Sequence, residues 1–226
     1  YMGFCFLIIV VICSSFLQNP LSQAVATDDQ PHIKTLTLFK DRNFWGLLCG
    51  IFPGLCIGLM VIGNIKPFGL SLNMSAAVAG AAVAVLALSN ALSRLIWGMT
   101  GGLMEGKKVI LFSLVSTAVV CLATPFAVRN ALAFQLFTVI LGFNYASCWV
   151  LYAAEIARTY GPERMGTIYS TLLLSNGIAG FMAPPVAGKI FDTTGSYTPA
   201  FLIFGSVSFL SIFLFYFLYQ PSRIRK

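Results

Sequence analysis

Charge is scarce in this sequence. Asp, Glu, Lys and Arg make up 9% of its 226 residues, against roughly 25% in ordinary soluble domains. Acids are the scarcer sign, with seven Asp and Glu against 14 Lys and Arg, a formal net charge of +7. This poverty excludes a soluble globular domain and a disordered tail. It also excludes a nucleic-acid binder, because the basic residues are dispersed and form no phosphate-tracking stripe. There is one histidine, His32. It sits in a polar stretch, where a solvated side chain without function is expected. Without a second His there is no H-E-x-x-H zinc site, no apolar stretch carries a carboxylate pair, and no Ser has a base to activate it. No enzyme, metal site or cofactor is expected. The six cysteines, Cys5, Cys13, Cys49, Cys56, Cys121 and Cys148, form no C-x-x-C pair and read as small packing groups rather than disulfides or zinc ligands.

Apolar residues take the place of charge. They are 58% of the chain, and mean hydropathy is +0.87. The charged residues mark out long apolar gaps. Residues 1–27 carry none, and the gaps after Arg42, Lys66, Lys108, Arg129, Arg164 and Asp192 run to 23, 27, 20, 25, 24 and 30 residues. About 20 apolar residues span a bilayer as a helix. The expectation is an all-α membrane protein with about six complete transmembrane helices and part of a seventh. The spans fall at Met2–Leu17, Phe44–Ile65, Met74–Trp97, Val109–Val128, Ala131–Ala154, Thr167–Lys189 and Ala200–Tyr219. The expected organisation is 1–17 as the end of a truncated helix, 18–43 as a central loop, 44–219 as a six-helix unit and 220–226 as a tail.

Lys and Arg placement orients the chain. Alternate loops hold Lys34, Lys40, Arg42, Lys107, Lys108, Arg158, Arg164, Arg223, Arg225 and Lys226 on one side, and Lys66, Arg129 and Lys189 on the other. The richer side is expected to be cytoplasmic. The central loop and C-terminus are then cytoplasmic, in a multi-pass protein of the cell membrane, plasma or inner. The triplet Asn73-Met74-Ser75 matches a glycosylation sequon on the outer side.

Small residues and prolines pattern the spans. Gly50, Gly54 and Gly58 lie four apart on one helix face and permit close helix approach. They serve packing alone or a rocking motion, and Pro53 among them is expected to kink the helix. Ala76, Ala77, Gly80, Ala81 and Ala82 form a second small face. Gly177, Gly180, Pro184, Pro185 and Gly188 weaken another span in the manner of cavity-lining broken helices, although ordinary membrane packing also tolerates them.

Arg94 is the one charge well inside a span. A central Arg costs roughly 2.5–3.5 kcal/mol on insertion scales. It therefore faces the bundle interior as an anion site, or lies near the helix end before Gly98 and snorkels out. Asn90 precedes it by one turn. Asn176 lies mid-span with Ser175 and Thr171, and Asn144, Tyr145 and Trp149 cluster in another span. One guanidinium among neutral donors and aromatic walls suits a small organic anion, whose carboxylate Arg holds bidentately. The aromatic pair reads equally as core packing. Glu105, Lys107, Lys108, Glu155, Arg158 and Arg164 form a candidate cytoplasmic charge network, or a set of solvated loop charges.

Three stretches resemble the major facilitator superfamily, and more narrowly its oxalate/formate antiporter-like and monocarboxylate porter-like members. They are Asp41-Arg42-Asn43-Phe44-Trp45 leading to Gly58 through Pro67, then Asn90 through Gly98, then Ser175 through Pro184 with Phe191 through Tyr197. They look like helices seven, eight and eleven of that family. The resemblance implies the end of helix six through helix twelve of a twelve-helix transporter working by alternating access. The N-terminal half would be missing from this chain, and the bilayer and a small organic anion would be its other partners. By position, Arg94 would anchor a carboxylate, and Tyr145 and Trp149 would line and gate the cavity. Oxalate-transporting relatives carry a Lys where this chain has Asn176, which favours a monocarboxylate or another singly charged anion over oxalate. The loop Gly98–Lys108 lacks the family's Asp, leaving Glu105 as its nearest acid. Coupling, by exchange or proton symport, is open. The other functional reading is a non-transporting sensor or partner subunit built on the same fold.

Overall fold

The computed structural model describes residues 38–220. The expected helix Met2–Leu17, most of the 18–43 loop, with His32, and nearly all of the tail fall outside the described residues. Every regular element among the described residues is an α-helix. They are α1 (Arg42–Ser71), α2 (Ala76–Leu103), α3 (Gly106–Ala127), α4 (Ala131–Tyr160), α5 (Pro162–Thr194) and α6 (Thr198–Leu218).

All six helices expected in this region are present, and most are longer than their apolar cores. A helix of 30 residues, such as α1 or α4, spans about 45 Å at 1.5 Å per residue. That exceeds the hydrocarbon thickness of about 30 Å and matches the full bilayer with its headgroup zones. The charge-bounded gaps therefore located the hydrocarbon-spanning parts. The backbone hydrogen bonds continue past Lys66, Pro67 and Gly98 into the interface. Pro53 and Pro67 lie inside α1, and Pro184 and Pro185 lie inside α5, without ending either helix.

Side-chain caps set several starts. Asp41 accepts from the Asn43 amide, Ser75 from Val78 and Asn130 from Ala133, each satisfying an orphan N–H of the first turn. Five of the helices are long and apolar enough to cross a membrane. The exception is α5, the helix richest in Ser, Thr, Gly, Asn and Pro, with charges at both ends.

Helix α1 occupies the centre. Its most apolar stretch is 67% buried, against 28% for α2 and for α6. The Gly50–Gly54–Gly58 stripe explains how it fits there. A Cβ on Gly50 would fall 2.7 Å from Tyr152 Oη, on Gly54 2.7 Å from Cys148 Sγ, and on Gly58 1.9 Å from Tyr145 Cδ2. The three glycines therefore admit three large or polarisable side chains of α4 onto the α1 backbone. Gly63 admits Pro184 of α5 in the same way, at 2.9 Å. Asn64 then donates to the Pro184 carbonyl at 3.3 Å and accepts from Tyr197 Oη at 3.3 Å, tying α1 to the body of α5 and to the start of α6.

The small face of α2 differs from expectation. Its buried residues are Ala79, Ala82, Leu86, Ser93, Trp97 and Gly101. Ala76, Ala77 and Ala81 are exposed, and Gly80 faces open space. The packing stripe on α4 follows the spacing of three and four that a helix needs to keep one face on its neighbour, and consecutive alanines cannot share such a face.

Candidate functional site

Arg94 stands nine residues before the end of α2, about 13 Å along the axis, because Gly98 lies within the helix rather than at its end. Its position relative to α4 is fixed by hydrogen bonds from α2 side chains to α4 carbonyls. Ser89 Oγ donates to Val139 O at 2.6 Å, Asn90 Nδ2 to Gly142 O at 3.4 Å, and Trp97 Nε1 to Phe143 O at 2.8 Å. Gly142 permits the approach, since a Cβ there would lie 2.8 Å from Leu86 O. Interhelical bonds of this kind set register in membranes, where lipid offers no hydrophobic drive for helix association.

Arg94 is exposed in this chain, and its guanidinium stands beside an aromatic pair. Arg94 Cζ lies 6.0 Å from the centre of the Trp149 ring, at the outer limit of a cation–π contact. The Tyr145 ring meets Trp149 edge to face, with centroids 6.2 Å apart and planes at 89°. Tyr145 is seated on Gly58 of α1. Tyr169 of α5 donates its hydroxyl to Trp149 O at 3.0 Å, and the Arg94 charge is within electrostatic range of both Tyr145 and Tyr169. Four helices thus contribute to one locus: α2 the cation, α4 the rings, α1 the glycine seat and α5 a phenol.

On α5 the buried Asn176 Oδ1 makes no hydrogen bond among the described residues. Buried polar atoms are ordinarily satisfied, so this acceptor stands out. Gly54 abuts Cys148, Gly180 abuts Leu59, and one turn down α5 from Gly180 is Asn176. Gly177 beside it faces open space.

Asn144 is turned elsewhere. It is buried and exchanges hydrogen bonds with Ser116 of α3, donating at 2.9 Å and accepting at 3.3 Å. Adjacent helix residues point about 100° apart, so Asn144 and Tyr145 cannot serve one face. Asn144 joins a polar seam with Ser113 and Ser147, 2.5 Å apart.

Among the described residues, the Lys/Arg-rich end contains two separate ion pairs. Glu105 pairs with Lys108 at 3.1 Å, both exposed, and Glu155 with Arg158 at 3.8 Å. Glu155 is buried, lies against the Gly106 backbone at the start of α3, and accepts from Tyr219 Oη at 2.7 Å. Burial and the neighbouring Glu155 carboxylate push the Tyr219 phenol well above its ordinary value, with the Thr159 hydroxyl opposing them, so it remains a donor at neutral pH. Arg158 donates to the Gly101, Gly102 and Met104 carbonyls, capping α2. Lys107 turns away to α6, and Arg164 is exposed and makes no ion pair among the described residues.

The family model described as Major Facilitator Superfamily matches residues 4–226. The chain belongs to the Major Facilitator Superfamily. Among its superfamily relatives are Monocarboxylate transporter 9 of Gallus gallus, 27% identical over 80% of this chain and 36% of the relative. The Oxalate:formate antiporter of Oxalobacter formigenes is 23% identical over 87% of this chain and 47% of its own length. The Uncharacterized MFS-type transporter YhjX of Escherichia coli is 24% identical over 76% of this chain and 44% of its own length. The chain thus spans less than half the length of each of these relatives.

Two participants had no distinctive sequence signal. Tyr169 precedes Asn176 by seven residues, two helical turns, and that spacing is the one clue that both share a face. Trp97 follows Arg94 closely in sequence, but its role as a bond to α4 depends on where Phe143 lies.

Proposed function

We propose that this chain is the C-terminal half of a secondary transporter that moves a small organic anion, a monocarboxylate in the first instance, by alternating access. The activity is translocation, not chemical conversion. The observation that carries the reading is Arg94, an Arg well inside a membrane helix whose neighbours Ser89, Asn90 and Trp97 bond α2 to α4, with its guanidinium 6.0 Å from the centre of the Trp149 ring. A carboxylate fits this locus because the guanidinium presents paired donors that match its two oxygens. The Trp149 indole lies beside the guanidinium. The names of the relatives, a monocarboxylate transporter and an oxalate:formate antiporter, point to the same class of cargo.

Asn176 sets the charge limit in this reading. Arg94 alone neutralises one carboxylate. A dianion would carry its second charge into a low-dielectric cavity beside a neutral amide, and an unpaired buried charge costs several kcal/mol. The missing half supplies the opposite cavity wall and any titratable group used for proton symport. The Lys/Arg-rich end faces the cytoplasm by the positive-inside rule, with the protein in the cell membrane.

Counterflow of labelled lactate, pyruvate, formate and oxalate into proteoliposomes of the full-length protein tests this. Monocarboxylate exchange without oxalate exchange is expected, with oxalate exchange gained in Asn176→Lys. Oxalate exchange by the unmodified protein would refute the charge argument, and exchange of no carboxylate would refute the cargo class.

A further inference from the structure

A second cationic locus lies at the Lys/Arg-rich end, on α6 and away from Arg94. The N-terminus of α1, the N-terminus of α3 and the C-terminus of α6 meet there. Arg42 Nη2 donates to Phe217 O at 2.6 Å. Lys107 Nζ donates to Tyr216 O at 3.0 Å and Tyr219 O at 2.6 Å, and stands 4.9 Å from the centre of the Tyr216 ring. The two cations are close enough to repel each other. Neither has a carboxylate within ion-pair distance among the described residues. The nearby acids are engaged: Asp41 with Tyr160 and the α1 cap, Glu155 with Arg158 and Tyr219.

The charge and donor counts are unbalanced. A helix C-terminus supplies roughly half a negative charge against two positive ones. Arg has five N–H donors and Lys three, and three are used. The remaining donors sit beside an apolar surface. Phe209, Leu210, Phe213, Leu214, Tyr216 and Phe217 are all exposed on α6, and they run about 12 Å along its axis. A ligand that fits both parts has an anionic head and long apolar chains.

We propose that Arg42 and Lys107 bind the phosphate of an anionic phospholipid, whose acyl chains lie along α6. The cytoplasmic leaflet is the one rich in anionic lipid, and this end of the helices is the one rich in Lys and Arg. The occupant is a lipid rather than free phosphate, because the apolar track begins at the cations themselves.

The test is lipid retention by the detergent-solubilised full-length protein, read by native mass spectrometry, with phosphatidylglycerol against phosphatidylcholine. A preference for phosphatidylglycerol is expected. It should fall about 30-fold in Arg42→Gln/Lys107→Gln, from about fivefold per basic residue at a membrane surface. Lys66→Gln/Arg129→Gln, with the same loss of charge at the opposite end, should retain the preference. Because the first pair also caps α6, the charge-keeping exchange Arg42→Lys/Lys107→Arg is read beside it and should retain most of the preference. Equal retention of the two lipids, an unchanged preference in the Gln pair, or loss in the charge-keeping exchange would each overturn the proposal. So would displacement of the lipid by millimolar inorganic phosphate at constant ionic strength, which would make the ligand a free anion.

Discussion

Gly58→Ala should be far more damaging than its size suggests. The added Cβ would lie 1.9 Å from Tyr145 Cδ2, 2.4 Å from Cε2 and 2.5 Å from Cγ. Carbon atoms in contact sit about 3.5–4.0 Å apart, so the ring edge or helix α1 must retreat by about 2 Å. The ring cannot simply rotate away, because Trp149 abuts it edge to face. Overpacking of this kind costs about 1–3 kcal/mol. Removing the ring removes the conflict, so in a Tyr145→Ala background the same substitution should cost close to nothing. The coupling between the two sites is then about 1–3 kcal/mol, well above the few tenths expected of independent positions. Gly177→Ala is the internal control. Its Cβ meets nothing within 4 Å, and it should be neutral or mildly stabilising through helix propensity. The assay is reversible unfolding of the full-length protein in mixed micelles, as a double-mutant cycle with the control alongside. A Gly58→Ala cost that is unchanged without the Tyr145 ring would refute the account of how α1 and α4 pack.

Two further predictions follow from single contacts. Tyr169→Phe removes the hydroxyl that donates to Trp149 O. It should cost about 1 kcal/mol of stability, the usual net worth of a neutral hydrogen bond, and raise the KM of counterflow more than it lowers the maximal rate; an unchanged KM would detach Tyr169 from the site. Tyr219→Phe takes a donor from buried Glu155, whose other oxygen makes no hydrogen bond. It should destabilise by about 1–3 kcal/mol, and Glu155→Gln in that background should recover part of the loss, measured by thermal unfolding.

Much of this architecture can be traced to particular residues. Charge spacing located the six described helices because a bilayer admits few charges, and five of them are long and apolar enough to cross a membrane. Helix ends were less legible. Gly98, Lys66 and Pro67 are ordinary stop signals in water, yet at a membrane interface the helix backbone continues through them. The Gly50–Gly54–Gly58 stripe announced a close approach, but the side chains that fill it, Tyr152, Cys148 and Tyr145, come from a helix about 90 residues away. No local pattern names that partner. Arg94 was conspicuous because its cost had to be offset by a function or a position. Asn144 was grouped with Tyr145 by adjacency in sequence, and the 100° turn per residue sends it to α3 instead. The charged residues at the Lys/Arg-rich end were legible as a set. Their division into an α2 cap, a buried Glu155 contact and an α6 cap depends on where three helix ends meet.

The central claim is that Arg94 holds the carboxylate of the cargo. Counterflow of a labelled monocarboxylate by the full-length protein should be lost in Arg94→Ala and retained weakly, with a raised KM, in Arg94→Lys, which keeps the charge and loses the paired donors. Both variants should bind to the membrane and unfold like the unmodified protein. Equal counterflow by Arg94→Ala for every carboxylate tested would contradict the account.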